Sequence, residues 1–537
     1  MSALYYLKPS VQIEPLVNQW YAYPFLINPA TYAAVLRNYQ LSVMKSYLQM
    51  PMAHAAALKN PNMVGGPFID YNGKRTDEVR ALRDEINDKT TDLLAFAEGL
   101  AELQSKLKTK AKGTPLEALY AEIPEALKPY IELVYDMQHQ PHIRLIEGLL
   151  YQSELYNPEF QSLALVPRED DHRSFVFSTP RLADEDLIML NIPFHDTRIE
   201  QLVQLKENPK SLEEIRSLFG LDYSDEQLET VFTQEAPEQV DNARYTGEGV
   251  RVRYYGHACV LLESADCVVL TDPLLSYTYP SDLERFSYAD LPEHIDYVVI
   301  THAHHDHIVL ETLLQLRHKI GTVIVPASAR GNLQDPCMKN VLKAIGFESV
   351  IEMQEMETVG NAHAKITGLP FFGEHCDLDI RSKLVYQVAL GGKKFIMAAD
   401  SSSLNPSVYK KVADITGPAD TLFIGMECTG APMSWAYGPL FSEKIEKSLD
   451  DIRRSNGSDA QKGLELADVF GVSAVYLYAM GAEPWLNYFM ALQHGHSENT
   501  NHEVEELLQS CDARGMQAES LFAKKELFFT HEPSLVM

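Results

Sequence analysis

Cysteine is scarce in this chain and nowhere paired: Cys259, Cys267, Cys337, Cys376, Cys428 and Cys511 contain no C-x-x-C spacing. Neither a zinc ribbon nor a disulfide framework is expected, and a reducing cytosol fits best. Positive charge is also short, with 46 Lys and Arg against 75 Asp and Glu and a formal net charge of −29. A nucleic-acid partner would need a concentrated basic stripe, so that class is excluded. The one local basic cluster is Lys106, Lys108, Lys110 and Lys112. Long apolar runs are missing too: no stretch approaches the roughly 18 apolar residues of a spanning helix, and the N-terminus has no basic segment leading into an apolar core. The expectation is a soluble, cytoplasmic protein without a membrane partner.

What remains is ample for globular cores: 537 residues, 45% of them apolar, which calls for two domains or more. The polar, Pro- and Gly-bearing stretch 234–249 places a boundary near 245, giving an N-terminal α+β domain over 1–245 and a second domain over 246–537. In the first, Val79, Leu82, Ile86, Leu93, Leu94, Leu100, Leu103 and Leu107 keep close to helical spacing, which predicts one long amphipathic helix with Thr76 or Asp77 as N-cap. A second helical segment is expected through Leu116 to Met137, and short strands at 163–166, 175–178 and 187–192. The aromatic patch Trp20-Tyr21-Ala22-Tyr23-Pro24-Phe25 reads as packing. No catalytic motif is found in this half, and isolated histidines such as His139 and His142 read as structural.

The second domain is organised around Thr301-His302-Ala303-His304-His305-Asp306-His307-Ile308. Tyr297-Val298-Val299-Ile300 before it reads as a buried strand, and Leu310, Leu313, Leu314 and Leu316 after it recur at helical spacing. The histidines therefore sit on a strand-to-helix loop, where a rigid scaffold presents polar groups convergently. His302 and His304 can reach one metal together. Asp306 and His307 can reach a second, with Asp306 supplying an anionic oxygen. This H-x-H-x-D-H pattern resembles the metallo-β-lactamase-fold signature, which names a fold and a dinuclear site rather than a reaction. Tyr255-Gly256-His257-Ala258-Cys259 and Thr271-Asp272-Pro273 resemble the opening of such a domain, with Asp272 in the place of its loop-bracing aspartate. His257 reads equally as a residue behind the ligands or as a structural histidine.

A dinuclear site needs further ligands. Lys394 to Ala399 reads as a strand with Asp400 at its end, in the position of a metal-bridging aspartate. In Gly373-Glu374-His375-Cys376, either Glu374 or His375 can point inward, since neighbours in an extended segment face opposite ways. A histidine there suits a dizinc hydrolase, whereas a glutamate makes a harder, oxygen-rich site better suited to iron. After the last expected strand, 472–478, there is no histidine until His494 and His496, so one metal keeps an open position, as a catalytic metal must.

These departures, together with Met426-Glu427-Cys428-Thr429-Gly430 and the long N-terminal domain, resemble the CmlA-type diiron β-hydroxylases of nonribosomal peptide pathways, along essentially the whole chain. The resemblance implies an α/β fold: a C-terminal metallo-β-lactamase αββα sandwich preceded by a mixed α+β domain that serves dimerisation and access to the site. It implies two Fe ions, with His302, His304, Glu374 and Asp400 on one, and Asp306, His307 and the shared Asp400 on the other. Glu427 becomes a candidate beside the open face, or else a structural carboxylate. The implied activity is O2-dependent hydroxylation of the β-carbon of an aminoacyl group tethered to a peptidyl carrier domain, with an external electron donor and a homodimeric enzyme. The alternative reading is a dizinc hydrolase cleaving a lactone, thioester or phosphodiester.

Overall fold

The computed structural model describes residues 3–173, 175–184, 187–238, 240, 242–490 and 497–530. His494 and His496 lie outside them.

From Val250 onward the chain forms two mixed seven-stranded sheets. The first runs, edge to edge, Val350–Met353, Ile320–Pro326, Ile295–Val299, Val268–Thr271, Cys259–Glu263, Val250–Gly256 and Lys525–Phe529. The second runs Thr358–Gly360, Ala364–Leu369, Val385–Leu390, Lys393–Met397, Thr421–Ile424, Ala474–Leu477 and Gln517–Ser520. Strand alternation makes the sandwich. Val252, Tyr254, Val260, Leu262 and Val269 pack against Ile366, Tyr386, Val388, Phe395 and Met397 in one core between the sheets. Intervening residues face outward: Ile396, Leu422, Val475 and Leu477 meet helices Pro406–Thr416, Ala460–Phe470 and Glu498–Ala513. On the other side, Leu261, Leu270, Val298 and Val323 join a core that continues into the N-terminal half.

That half is built on a four-stranded sheet ordered Trp20–Tyr21, Val11–Val17, Gln161–Pro167 and Ile188–Leu190. The expected long helix is two, Thr76–Lys89 and Thr91–Lys110. Thr90 breaks it: its φ is −118° and its Oγ1 donates to the Ile86 carbonyl at 2.6 Å, competing with the helical ladder. The residue before the first of these helices is Arg75, in the left-handed region at φ 60°, rather than a Thr or Asp cap. The helix expected over 116–137 is replaced by the short 3-10 turns Glu117–Glu122 and Lys128–Tyr130, and then by strand Ile131–Tyr135 paired with Pro141–Leu145. Pro124 and Pro129 remove donors a helix would need there. Residues 175–178 are a 3-10 turn, Val176–Ser178, entered through Phe175 at φ 60°.

The two halves are fastened by buried charge. Glu14, on the central N-terminal strand, lies 3.1 Å from Arg173 Nη2 and 2.6 Å from Arg181 Nε. Arg173 also reaches Glu311 at 2.7 Å, on helix Leu310–Leu316 directly after the histidine loop. Glu147 accepts from the backbone N–H groups of Gly331 and Cys337 at 3.1 and 3.0 Å, bracing the start of the C-terminal half's helix Met338–Ala344 from the other domain. The last N-terminal strand ends at Thr233 and the first sandwich strand begins at Val250.

Candidate metal centre and cavity

The histidine loop is pinned before any metal is considered. Asp272 Oδ1 accepts from Thr301 N at 2.7 Å, and Oδ2 accepts from Thr301 Oγ1 at 2.6 Å. With its proton given to Asp272, Thr301 Oγ1 accepts from His302 Nδ1 at 3.1 Å. His307 Nδ1 lies 2.9 Å from Asp272 Oδ2 and donates to it. In their neutral forms both rings therefore carry the proton on Nδ1 and turn Nε2 toward Asp400 Oδ2, at 3.7 Å from His302 and 3.0 Å from His307. Asp272 braces the loop, as expected.

Asp400 follows strand Lys393–Met397 through Ala399, whose φ is 44° and whose N–H and C=O are held by Tyr478 Oη and Gly425 N. Gly425 is required here: a Cβ on it would stand 2.8 Å from Asp400 Oδ1. Glu374 is itself left-handed, at φ 67°, after Gly373 at φ 81°. The segment is bent, not extended, so the expectation that only one of Glu374 and His375 faces inward fails: both do. Glu374 Oε2 lies 2.9 Å from His304 Nδ1 and 3.4 Å from His375 Nδ1, and the His375 ring stacks on His304 at 4.4 Å between centroids.

Donor atoms of His302, His304, Glu374 and His375 all lie within 4.8 Å of one another; so do those of His302, His307 and Asp400, and those of His257, Asp306 and His307. His257 thus joins Asp306 and His307, its Nε2 3.1 Å from Asp306 Oδ2. Buried His302 Nε2, His307 Nε2, Glu374 Oε2 and Asp400 Oδ1 have no properly directed hydrogen-bond partner. Buried polar atoms are rarely left so, and a cluster of them converging on shared points fits bound cations. Three carboxylates among the candidates make a hard, oxygen-rich set.

The surroundings bias protonation. Burial pushes the Glu374 carboxyl up. Burial, reinforced by Asp400, Glu374 and Asp306, raises Glu427 well above the usual carboxylate range. Asp306 is desolvated as well, but His307 and His257 hold it well below its ordinary value.

Asp306, Glu374, Asp400 and Glu427 open onto a cavity of about 680 Å3. Its facing wall comes from the N-terminal half, through Tyr23, Phe25, Tyr39 and Phe177. Three of these rings grip His305 of the metal loop, with centroid distances of 4.2 Å for Tyr23, 5.2 Å for Phe25 and 6.1 Å for Phe177. Burial among them lowers the His305 pKa to about 3, so it packs as a neutral ring. The aromatic patch read as plain packing is a wall of the site.

Residues 6–237 match the family model described as the diiron non-heme β-hydroxylase N-terminal domain, and residues 268–442 match a β-lactamase superfamily domain. Over 533 residues the chain is 35% identical to the 4-amino-L-phenylalanyl-[CmlP-peptidyl-carrier-protein] 3-hydroxylase of Streptomyces venezuelae, covering 97% of this chain and 99% of that one. The chain belongs to the diiron non-heme β-hydroxylase family. The crystal structure of the diiron β-hydroxylase CmlA from the same organism superposes with a TM-score of 0.90 at 34% identity, covering 98% of this chain and 100% of that one. A CmlA point variant gives 0.88 over the same coverage. As a family member the chain is an O2-dependent β-hydroxylase with two irons, not the dizinc hydrolase that its loop motif also allowed. Sequence reading missed Gly425, the inward turn of His375, the link from His257 to Asp306, and Tyr437, whose hydroxyl meets His304. Only the left-handed turn around Gly373 left a trace in the sequence.

Proposed function

We propose that this β-hydroxylase acts on an aminoacyl group held as a thioester on a peptidyl carrier domain in nonribosomal peptide biosynthesis. The observation that carries the reading is the cavity, which sets candidate ligands on one wall against aromatic rings of the N-terminal domain on the other. The relative's activity on a carrier-bound aminoacyl group supports the same reading. His302, His304, Glu374 and Asp400 would hold one iron, and Asp306, His307 and the shared Asp400 the other. When bound, the irons supply two-electron activation of O2 for insertion into a β C–H bond. Inserting one oxygen atom and reducing the other to water consumes two electrons and two protons, which is why an external electron donor belongs to the proposal.

The chain's own contribution is placement. Asp272 and Thr301 fix two ring tautomers, Gly425 admits Asp400, and Glu427 lines the cavity beside the other carboxylates, its own carboxyl pushed up by burial. Tyr23, Phe25 and Phe177 keep water from the iron-facing wall and shape access. A homodimer is part of the same proposal. Free thiols at all six cysteines suit a reducing cytoplasm, and no helix among the described residues is long and apolar enough to cross a membrane. The sequence-local candidate for carrier docking is the Lys106 to Lys112 cluster, in which Lys106 pairs with Glu102, Lys108 with Glu443 and Lys110 with Glu122 on the exposed surface.

The test is single-turnover reaction of reduced, iron-loaded enzyme with O2 and a panel of aminoacyl-loaded carrier domains, read by intact-protein mass. Gain of one oxygen on the carrier-bound group, and none on the free amino acid, is the expected result. Thioester loss without oxygen gain would sink the reading and favour hydrolysis.

A further inference from the structure

Each of the three candidate ligand histidines of the metal loop has a nitrogen turned away from the candidate irons, and the three are held differently. His302 is held by Thr301, its neighbour, and His307 by the Asp272 carboxylate. His304 is held from far along the chain: its Nε2 lies 2.7 Å from Tyr437 Oη, while its Nδ1 faces Glu374. Tyr437 is 3% exposed, ends the short helix Met433–Tyr437 and lines the cavity.

We propose that Tyr437 is a positioning residue of the iron centre, its hydroxyl accepting His304 Nε2–H so that Nδ1 is left unprotonated toward the metal. The proposal rests on the ligand assignment given above. The opposite polarity, with Tyr437 donating to Nε2, would put a proton on Nδ1 and close that nitrogen to a cation. A phenol oxygen is a weaker acceptor than the carboxylate behind His307, so His304 is the less basic ligand of the two. Tyr437 belongs to the same domain as His304, but the segment that carries it is also tied to the N-terminal domain. Asn38 Nδ2, in the π-turn Leu36–Gln40, donates to the Pro439 carbonyl at 2.9 Å, two residues beyond Tyr437. On the far side, the Asp450 carboxylate accepts from Ser434 N at 2.8 Å and from its hydroxyl at 2.5 Å. The N-terminal domain thereby braces the segment behind one imidazole of a centre to which it contributes no candidate ligand among the described residues.

Tyr437→Phe keeps the ring and removes only the oxygen, so a packing role is fully served by it. Expected in Tyr437→Phe is iron binding weaker by about 10–100-fold at one of the two sites in chelator competition. Mössbauer parameters should change for one iron and stay for the other, with an unchanged melting temperature of the metal-free protein. Asn38→Ala should act in the same direction more weakly. His304→Ala, measured alongside, should lose that iron outright. Wild-type iron affinity and spectra in Tyr437→Phe, with iron lost in His304→Ala, would overturn the role of Tyr437 and leave the ligand assignment standing. Full iron retention in His304→Ala would overturn the assignment itself.

Discussion

Two clusters of buried charge meet at the start of the short helix Leu310–Leu316, one reached from Glu311 in its first turn and the other built on the loop before it. One joins Glu14, Arg173, Arg181 and Glu311, with Tyr21 and Tyr277 each donating to Glu311 at 2.8 Å. Arg168 adds a third guanidinium 3.7 Å from Glu14, and of these side chains only Arg173 Nε lacks a partner. The other joins His257, His302, His304, Asp306, His307, Glu374, His375 and Asp400, and buried nitrogens and oxygens go unpaired throughout it. Burial alone therefore does not mark a functional site. A satisfied cluster stiffens the fold, whereas an unsatisfied one needs a ligand to justify its desolvation.

The comparison breaks most visibly at Asp306. Asp306→Ala should lose at least one iron per chain and reduce β-hydroxylation to background; elemental analysis showing unchanged occupancy would remove Asp306 from the centre. Next comes the bend at 374–375. Glu374→His is expected to keep metal yet lose oxygen-dependent hydroxylation, while His375→Ala leaves the centre largely intact. Should His375→Ala strip metal and Glu374→Ala not, the ligand roles of these neighbours are reversed.

The satisfied cluster should answer in stability instead. Glu14→Gln leaves the Arg181 guanidinium without its anion and Arg173 with Glu311 alone, and is expected to cost about 3–5 kcal/mol in chemical denaturation, with iron content unchanged. Loss of iron in that variant would show the two clusters to be one. The smallest effect is acid sensitivity. Burial opposes the Glu14 charge, but Arg181 and Arg173 outweigh it and hold the carboxyl near a pKa of about 2 against an ordinary 4.5. A folded value below the unfolded one stabilises the native state above pH 4.5, and that contribution fades as pH falls toward 2. Wild type should lose on the order of 3 kcal/mol over that window relative to Glu14→Gln, whose stability difference from wild type should shrink as the solution is acidified.

What was legible in the sequence was local. The histidine loop and Asp400 announced themselves because strand, ligand and helix follow one another within a few residues, and the period-two pattern of the sandwich strands is written in the chain itself. Glu374 and His375 could not be separated, because the answer lies in a left-handed backbone turn rather than in side-chain alternation. Tyr437 stands 133 residues from His304 and carries no motif, so only the fold brings them together. The helix misread over 116–137 shows tertiary pairing and two prolines overriding an apolar pattern.

The core that runs unbroken from Val11 and Leu36 to Val298, Val323 and Val350 has a consequence for how the chain is born. The N-terminal half leaves the ribosome with an oily face whose cover has not yet been translated. At about 5–20 residues per second, the hundred or so residues to Val350 take roughly 5–20 s to arrive. During that interval the nascent chain is a natural client for chaperones, and expression of residues 1–245 alone should yield aggregates rather than a free-standing domain.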